Sequence, residues 1–448
     1  MSAIKTKRGL NLPISGGLSS HEVVAGPPIK QVAILPQEAV GIKPRLLVEV
    51  GDAVQIGTPL VLDKRSEKVL FTAPTSGEIA AIHRGARRAL LAIVIQPDGA
   101  NTQIDGFGPL DPAQTATEDL VDALCRSGLW AGLRRRPFEC VARPDDEPRA
   151  LFVTAIDTRP LAADPRELIR GREEHFTAGL TALARLAPKT FLCTGGGDWN
   201  SLAPSGVQVQ EFQGPHPAGN VGTHMHLLSP VAAGRNAWHI GAQDVADIGE
   251  FLSTGVIPTE RVVALVGPAL RQPQLVRTQK GAAISELCAG LAETEEARYI
   301  NGSVLDGKLA QPGDEVGYLG RYANQISVLS DAPKRRFLDW MNPFSKTHTV
   351  TNTVFSKFVT KEYAYDTDTN GSHRAIVPIG SYEEVMPLDI LPTQLLRALV
   401  SQDLEGCEKL GVLELAEEDL SLCEYVCASK TDYSVLLRDM LTTIEKEG

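Results

Sequence analysis

Hydrophobic positions follow two different periods along the chain. In the first hundred residues, short runs of Val, Ile and Leu alternate with Gly and Pro turns, which predicts a β-rich region over residues 1–100. From about residue 115, apolar residues recur at helical spacing, and short apolar runs stand between the helical segments. The chain is therefore expected to change from β-rich to mixed α and β structure near residue 101.

The segment from 48 to 82 repeats one pattern twice. Residues 48–60 and 71–82 are each strand-like around a glycine, Gly57 and Gly77, which predicts a hammerhead like that of biotinyl and lipoyl carriers. Such carriers present their modified lysine near the midpoint of the two halves. Here the midpoint is Glu67, and Lys64 and Lys68 lie to either side of it within a charged turn. We therefore favour a carrier-shaped module over a lipoyl or biotin carrier.

Residues 101–260 are predicted to form a Rossmann-like α/β domain. Thr117 is the predicted N-cap of an amphipathic helix with acidic residues in its first turn, and the helix is expected to end at Gly128. Short apolar strands alternating with helices are typical of a largely parallel sheet. The strands and helices alternate at 149–157, 164–187, 189–197 and 242–255.

Three segments complete the predicted fold. Residues 261–330 place one helix among short strands and predict a β-grasp module of the SLBB-like kind. Residues 331–386 are predicted to be an extended β and loop segment, and residues 387–448 to form a helical domain. The fold class is thus α/β multidomain, with a hammerhead, a Rossmann-like domain, a β-grasp module and a C-terminal helical domain.

Composition narrows the functional classes. The 448 residues carry a net charge of −11, which excludes a wholesale nucleic-acid binder because phosphate contacts need a basic surface. No run of about 18 apolar residues occurs, so no transmembrane helix is predicted. The basic, polar start lacks the apolar core of a secretory signal, and we expect a cytoplasmic protein.

The stretch GPHPAGNVGTHMH, residues 214–226, concentrates three histidines among glycines and prolines. If His224 and His226 lay on a strand, both imidazoles would face one side, as in a metal site. No cysteine or acidic residue follows within a dozen positions, so the local ligand set is incomplete. A rigid loop that includes His216 and meets a ligand or a partner is the favoured interpretation.

Two further motifs have ordinary interpretations. TGGGDWN, residues 194–200, follows a predicted strand but lacks the spacing of a dinucleotide loop, so a tight turn is favoured. The seven cysteines are scattered, which argues against a disulfide scaffold. Cys423 and Cys427 are the one close pair, and we interpret them as buried cysteines because an iron–sulfur cluster needs four thiolates.

The stretch SGLWAGLRRRPFEC, residues 127–140, is the one strongly basic patch. It brings Trp130, Arg134, Arg135, Arg136 and Phe138 together after a predicted helix. A solvated charge cluster is one interpretation. The other is a contact surface for an acidic partner, a lipid headgroup or an aromatic head group.

Several stretches together resemble the A subunit of the bacterial sodium-translocating NADH:quinone reductase. The resemblance extends over nearly the whole chain. It is carried by KRGLNLPISG (7–16), FTAPTSGEIAAIHRGARRALL (71–91), GPHPAGNVGTHMH (214–226), HIGAQDVADIGEFLSTG (239–255) and the C-terminal LCEYVCASKTDY and LTTIEKEG.

This resemblance implies a peripheral subunit on the cytoplasmic face of the bacterial inner membrane. The implied complex has six subunits, oxidises NADH, reduces ubiquinone to ubiquinol and exports Na+. The implied direct partner is the integral-membrane B subunit. FMN, FAD, riboflavin and a 2Fe-2S cluster are expected in partner subunits, and ubiquinone is the expected ligand.

More distant relatives are the flavin subunit of respiratory complex I and the C subunit of the Rnf complex. Their flavin loop, G-L-G-G-A-G-F-P, corresponds here to GLWAGLRRRPF, where Gly128 and Gly132 remain but Trp130 and arginines replace small residues. The four-cysteine cluster motif of those relatives is incomplete here. We therefore expect no tightly bound flavin, cluster or metal in this chain, and no redox step by the isolated chain.

Two hypotheses remain for the role of the chain. In the first it helps to form the quinone site, and in the second it is a docking scaffold without a ligand. A quinone ring needs an apolar slot and one or two hydrogen-bond donors. Two stretches offer these: ILPQEAVG (34–41) and the basic patch. The candidate quinone-binding residues are Leu35, Gln37, Glu38, Trp130, Arg134, Arg135, Arg136 and Phe138.

Overall fold

The computed structural model describes residues 2–331 and 361–447, together with His348. The predicted extended segment 331–386 therefore lies partly outside the described residues. Mixed sheets and helices make up the rest, in agreement with the predicted α/β class.

The N-terminal region folds mainly as two small antiparallel sheets. Their orders are β3-β9-β8-β5 and β4-β6-β7, and both sheets contribute apolar side chains to one core. Along β8, the buried Ile79 stands between the exposed Glu78 and Ala80, as expected for a strand, whereas every residue of β6 is buried or half-buried. The strands of this region are β1 (Ile4–Lys5), β2 (Val23–Ala25), β3 (Val32–Ile34), β4 (Pro44–Leu46), β5 (Ala53–Val54), β6 (Pro59–Asp63), β7 (Leu70–Thr72), β8 (Gly77–Arg84) and β9 (Leu90–Pro97).

A seven-stranded mixed sheet forms the second unit, in the order β1-β14-β13-β12-β15-β10-β11. The five strands from β1 to β15 are parallel, and β10 and β11 add an antiparallel edge. The hydrophobic pattern had not indicated β14 or β15. The strands of this unit are β10 (Arg134–Arg136), β11 (Cys140–Val141), β12 (Leu151–Ala155), β13 (Thr190–Thr194), β14 (Val207–Gln213) and β15 (Ala237–Gly241).

Helices Thr117–Arg126, Glu173–Leu183, Val221–Leu228 and Ala242–Thr254 accompany this sheet. The second and fourth of them pack closely, because a side chain at Gly249 would overlap the backbone carbonyl of His175. The helix predicted over 164–187 is in fact two helices. Pro165–Leu168 ends before Gly171, whose positive φ of 79° breaks the helical path.

The third unit is a six-stranded sheet in the order β19-β18-β20-β16-β17-β2. Strand β2 reaches it from the N-terminal region and pairs in parallel with β17. The short helix Ile284–Leu287 packs into the apolar core of this unit. Its strands are β16 (Glu260–Val266), β17 (Gln274–Gln279), β18 (Ala297–Asn301), β19 (Lys308–Leu309) and β20 (Gln325–Ser330).

The C-terminal unit is helical, as predicted. Its helices share a separate apolar core, which includes Tyr382, Leu395, Leu420 and Leu437. In the ranges that the structure describes, no helix is long and apolar enough to cross a bilayer. The helices are Ser381–Val385, Pro392–Val400, Leu404–Lys409, Glu417–Val426 and Tyr433–Glu447.

Candidate functional site

A cavity of about 90 Å³ lies where the first three units meet. The N-terminal sheets contribute residues 33–36, 38, 39 and 71–74, the second unit includes 127–129, and the third unit includes 319–322. One wall is a 3-10 turn, Pro36–Glu38, that begins directly after β3. No single unit builds the cavity, so its shape depends on how the three units are held together.

Most of the cavity wall is apolar. After β3 ends at Ile34, Pro36 fixes the start of the turn, and Leu35 between them lies at the cavity. Further apolar lining comes from Ile34, Ala39, Phe71, Ala73, Leu129, Ile257 and Leu319. A wall of this kind suits a flat, uncharged ring.

The polar side of the cavity includes Glu38. Its Oε1 accepts a hydrogen bond from Asn301 Nδ2 at 3.0 Å, and its Oε2 accepts one from the backbone N–H of Arg321 at 2.8 Å. Burial raises the pKa of Glu38, and these two hydrogen bonds oppose the rise. Glu38 thereby joins the N-terminal region to the third unit at the edge of the cavity.

Cationic groups also line the cavity, and acids accompany them. Asp244 Oδ1 lies 3.5 Å from Arg261 Nη1 and 4.0 Å from Arg321 Nη2. Lys280 Nζ lies 2.6 Å from Asp247 Oδ2 and donates to a backbone carbonyl at 2.7 Å. Burial lowers the pKa of Lys280, although Asp247 favours its charged form. The guanidinium of Arg321 is the most exposed of these cations, with 29% of its side chain accessible.

Tyr322 connects the cavity to the basic patch. Its hydroxyl donates to the Ala131 carbonyl at 2.8 Å, and burial raises its pKa to about 12. The Arg134 guanidinium lies 4.5 Å from the centre of the tyrosine ring. Tyr322 therefore lines the cavity on one side and supports β10 on the other.

The cavity brings together only some of the predicted quinone-binding residues. Leu35 and Glu38 line it. Gln37 is exposed, and the five candidates of the basic patch are absent from the wall. The sequence pattern did not indicate Asp244, Lys280, Arg321 or Tyr322, since no local motif marks them and tertiary packing alone brings them to residue 38.

The three arginines of the basic patch form β10 and pair with acids of the same chain. Arg136 is fully buried: its Nε donates to Glu139 at 2.7 Å, its Nη2 to Glu418 at 2.7 Å and its Nη1 to Asp419. A solvated charge cluster is therefore ruled out for Arg136. The acidic partner of this guanidinium is the chain's own C-terminal helix Glu417–Val426.

The other members of the patch are also held internally. Arg134 pairs with Glu139 at 2.8 Å, and Arg135 lies 3.3 Å from Glu445 in the last helix. Trp130 is fully buried and donates its Nε1–H to the Ala142 carbonyl at 2.7 Å. Phe138 packs against the core of the C-terminal helices.

The histidine stretch is helical where the metal hypothesis required a strand. His224 and His226 lie in the helix Val221–Leu228, and two residues along a helix turn the imidazoles to different sides. His224 contacts the ring of Phe212, with ring centres 4.2 Å apart. His226 Nδ1 donates to Glu414 at 2.7 Å, which raises the pKa of His226, and its Nε2 accepts from a backbone N–H.

His216 lies outside that helix. Its Nδ1 meets Thr158 Oγ1 at 3.2 Å, and burial lowers its pKa to about 4. Among residues 2–331 and 361–447, no group of three or more metal-ligating side chains comes together. Residues 214–226 connect the second unit to the C-terminal unit through hydrogen bonds such as that between His226 and Glu414.

The remaining motifs lie away from the cavity. Lys64, Glu67 and Lys68 occupy an exposed turn between β6 and β7, and Lys68 Nζ is 2.9 Å from Asp145 on the surface. Residues 195–197 form a turn after β13 that leads to a 3-10 turn.

Cys423 and Cys427 are buried and free, as predicted. Although burial favours the neutral thiol, hydrogen bonds from Ser429, Tyr382 and Tyr433 lower the pKa of Cys427 to about 6. Both thiols belong to the core of the C-terminal helices.

Comparisons with known proteins agree with this organisation. Residues 4–98 match the family model of the NqrA N-terminal barrel-sandwich hybrid domain, residues 115–257 that of the NqrA second alpha/beta domain, and residues 262–311 that of the NQRA C-terminal domain. Three NqrA domains in this order define a multidomain protein and agree with the predicted α/β multidomain class.

Curated relatives extend the match to the whole chain. The A subunit of the Na(+)-translocating NADH-quinone reductase of Pseudomonas aeruginosa (strain UCBPP-PA14) is 48% identical and that of Rhodopirellula baltica 46%. The first alignment covers 99% of this chain and 100% of the relative, and the second 100% and 99%. The chain belongs to the family of Na(+)-translocating NADH-quinone reductase A subunits.

Among solved structures, an NAD+-reducing [NiFe]-hydrogenase in the air-oxidized state aligns with 74% of this chain and 64% of its own. The identity is 15% and the TM-score 0.37, a likeness too low to carry an argument.

Proposed function

We propose that this chain helps to form the quinone-reduction site of a sodium-pumping NADH:quinone reductase. The relatives are named for NADH, quinone and sodium translocation, and we extend that activity to the complex in which this chain assembles. In the proposed complex, NADH is oxidised, ubiquinone is reduced to ubiquinol and Na+ is exported. This chain would lie at the cytoplasmic face of the inner membrane, against the integral-membrane B subunit and the other four subunits.

The cavity at the junction of the three units carries this proposal. An apolar wall containing Leu35 and Phe71 faces a polar side with Glu38 and Arg321. A quinone head group needs this combination, because its ring is apolar and its two carbonyl oxygens accept hydrogen bonds. The Arg321 guanidinium can donate to one carbonyl, since part of its side chain remains accessible.

We also propose that the chain has no tightly bound flavin, iron–sulfur cluster or metal, and that partner subunits supply the electrons. The packing of GLWAGLRRRPF supports this view, because Trp130, Ala131 and Gly132 are all buried in the core. A flavin loop would instead need small residues beside an open cleft. The visible absorbance of the purified chain tests this point, and a flavin band that copurifies would contradict it.

Filling the cavity tests the proposed function. Leu35→Trp places a bulky ring at the wall, and Leu47→Trp places the same ring at an exposed position of the same region. In the assembled complex, we expect Leu35→Trp to weaken binding of a ubiquinone analogue at least about tenfold, or 1.4 kcal/mol. Leu47→Trp should bind like the parent.

The competing hypothesis predicts another result. If the chain is only a docking scaffold, quinone affinity is the same for both variants, and removing the chain causes the complex to fall apart. Unchanged affinity in Leu35→Trp would therefore contradict the proposed quinone site.

A further inference from the structure

Two carboxylates line the cavity, and their surroundings differ. Asp244 lies between two guanidinium groups, those of Arg261 and Arg321. Glu38 forms no ion pair within the described ranges; its two hydrogen bonds come from a backbone N–H and a side-chain amide. Both donors are neutral. Glu38 can therefore gain or lose a proton without separating an ion pair, whereas Asp244 cannot.

The third unit leaves space for the Glu38 carboxyl. A Cβ at Gly320 would overlap Glu38 Oε1 and Asn301 Nδ2. The backbone at Gly320 does not have a positive φ, so an alanine is conformationally allowed there. The absence of a side chain at residue 320 thus serves the approach of Glu38 and Asn301, and any larger residue must displace the carboxyl group.

We infer that Glu38 is the proton-transfer group of the cavity and delivers a proton to a carbonyl oxygen of the bound quinone. This inference rests on the proposed function. The proposed function requires only that Glu38 belong to the polar side of the cavity, whereas this inference assigns proton transfer to Glu38.

A quinone becomes a quinol by gaining two electrons and two protons, and a reduced flavin of a partner subunit supplies the electrons. As the ring is reduced, its oxygen becomes basic, the Glu38 O–H bond breaks and a quinol O–H bond forms. The second proton reaches the other ring oxygen from water, and the Glu38 carboxylate regains its proton from water.

The structure supports both states of Glu38. The backbone N–H of Arg321 and the side-chain amide of Asn301 stabilise the Glu38 carboxylate after it has given up its proton. Burial favours the neutral acid before transfer and raises the pKa of Glu38. Lys308 and Arg261 are the cations whose charge acts on Glu38, Tyr322 is a titratable neighbour, and Asp244 lines the same cavity.

The test uses the assembled complex and two changes that reach the same carboxyl group. Glu38→Gln keeps the shape and removes the proton, and Gly320→Ala leaves Glu38 in the chain but displaces it. Glu49→Gln, an exposed glutamate of the same region, is the control. NADH-dependent quinone reduction is measured against pH, alongside the affinity for a ubiquinone analogue.

For Glu38→Gln we expect kcat to fall at least about tenfold, KM to change less than about threefold, and the pH dependence assigned to one acid to disappear. Glu38→Asp should restore part of kcat, and Gly320→Ala should lower kcat with KM retained. The control should match the parent. If Glu38→Gln fails to assemble, Gly320→Ala decides the question by the same readouts.

Two outcomes distinguish quinone binding in the cavity from proton transfer by Glu38. If Leu35→Trp keeps the parental quinone affinity, the quinone site itself is wrong. If Leu35→Trp loses affinity but Glu38→Gln keeps the kcat and pH profile of the parent, the quinone site stands and proton transfer by Glu38 is overturned.

Discussion

The cavity and the basic patch are neighbours that both contain arginines and acids, and they differ in how far their arginines are paired and buried. In the patch, Arg136 meets three carboxylates, from Glu139, Glu418 and Asp419, and no part of it is exposed. In the cavity, Arg321 lies beside apolar wall and keeps part of its side chain accessible. A run of arginines therefore does not make a ligand site when the chain supplies its counterions.

The ion pairs of the basic patch also affect the stability of the fold. Buried ion pairs add little net stability, but removing one partner leaves the others unpaired at high cost. Burial raises the pKa of Glu418 to about 7 even though Arg136 lowers it, so this acid depends strongly on that guanidinium. The ion pairs of the patch hold the second unit against the C-terminal helices, whereas we propose that the cavity binds a ligand.

The largest expected effect follows from Arg136→Met. Methionine retains much of the volume but leaves Glu139 and Asp419 buried without this cation, so we expect unfolding to become easier by about 3–5 kcal/mol. Urea unfolding measures this change. Arg143→Met, whose arginine is 44% exposed and 4.0 Å from Glu445, is the matched control and should change stability by less than about 1 kcal/mol. If Arg136→Met were as stable as the parent but could not bind quinone, the patch and not the cavity would be the ligand site.

A smaller effect is expected from the buried histidines beside the patch. Burial lowers the pKa of His224 to about 3, whereas an unfolded histidine binds a proton near pH 6.5. The unfolded state therefore takes up the proton first, and folding stability is lost as the pH falls below 6.5. His224 should account for about 2 kcal/mol of this loss between about pH 7.5 and 5.

Urea unfolding at about pH 7.5 and about pH 5 tests the histidine effect. His224→Gln cannot titrate, so it should lose less stability on acidification than the parent. The exposed His21→Gln should keep the parental dependence. An identical pH dependence in His224→Gln and the parent would show that His224 is not held neutral.

The smallest effect concerns Tyr322, which contacts both regions. Tyr322→Phe removes the hydrogen bond to Ala131 but keeps the ring beneath Arg134, so a loss of about 1 kcal/mol of stability is expected. Quinone affinity should change less than about twofold, since the hydroxyl points at a backbone carbonyl. Equilibrium unfolding and a binding titration give the two values. An affinity weaker by about tenfold would mean that the hydroxyl belongs to the ligand site.

Local patterns in the sequence predicted much of the fold. Strand β8, the helix Thr117–Arg126 and the C-terminal helices follow from residue periodicity. Strands β1 and β2 could not be placed, because each pairs with a strand more than 200 residues away. Pairing over such a distance leaves no mark in a local pattern.

The candidate site was predictable only in part, for a similar reason. Leu35 and Glu38 lie where an apolar strand enters a turn, and that pattern can be recognised locally. Tyr322 and Lys280 reach the cavity through packing between units, which the sequence does not display. The arginine run was conspicuous, but the acids that neutralise it, such as Glu418 and Asp419, are some 280 residues away.

A binding experiment distinguishes the cavity from the basic patch as the place where quinone binds. A ubiquinone analogue is titrated into assembled complexes that carry Leu35→Trp or Arg135→Ala. The cavity account predicts at least about tenfold weaker binding for Leu35→Trp. It predicts a change of less than about twofold for Arg135→Ala, because Asp146 and Glu445 already hold that guanidinium. Parental affinity in Leu35→Trp together with about tenfold weaker binding in Arg135→Ala would contradict the account.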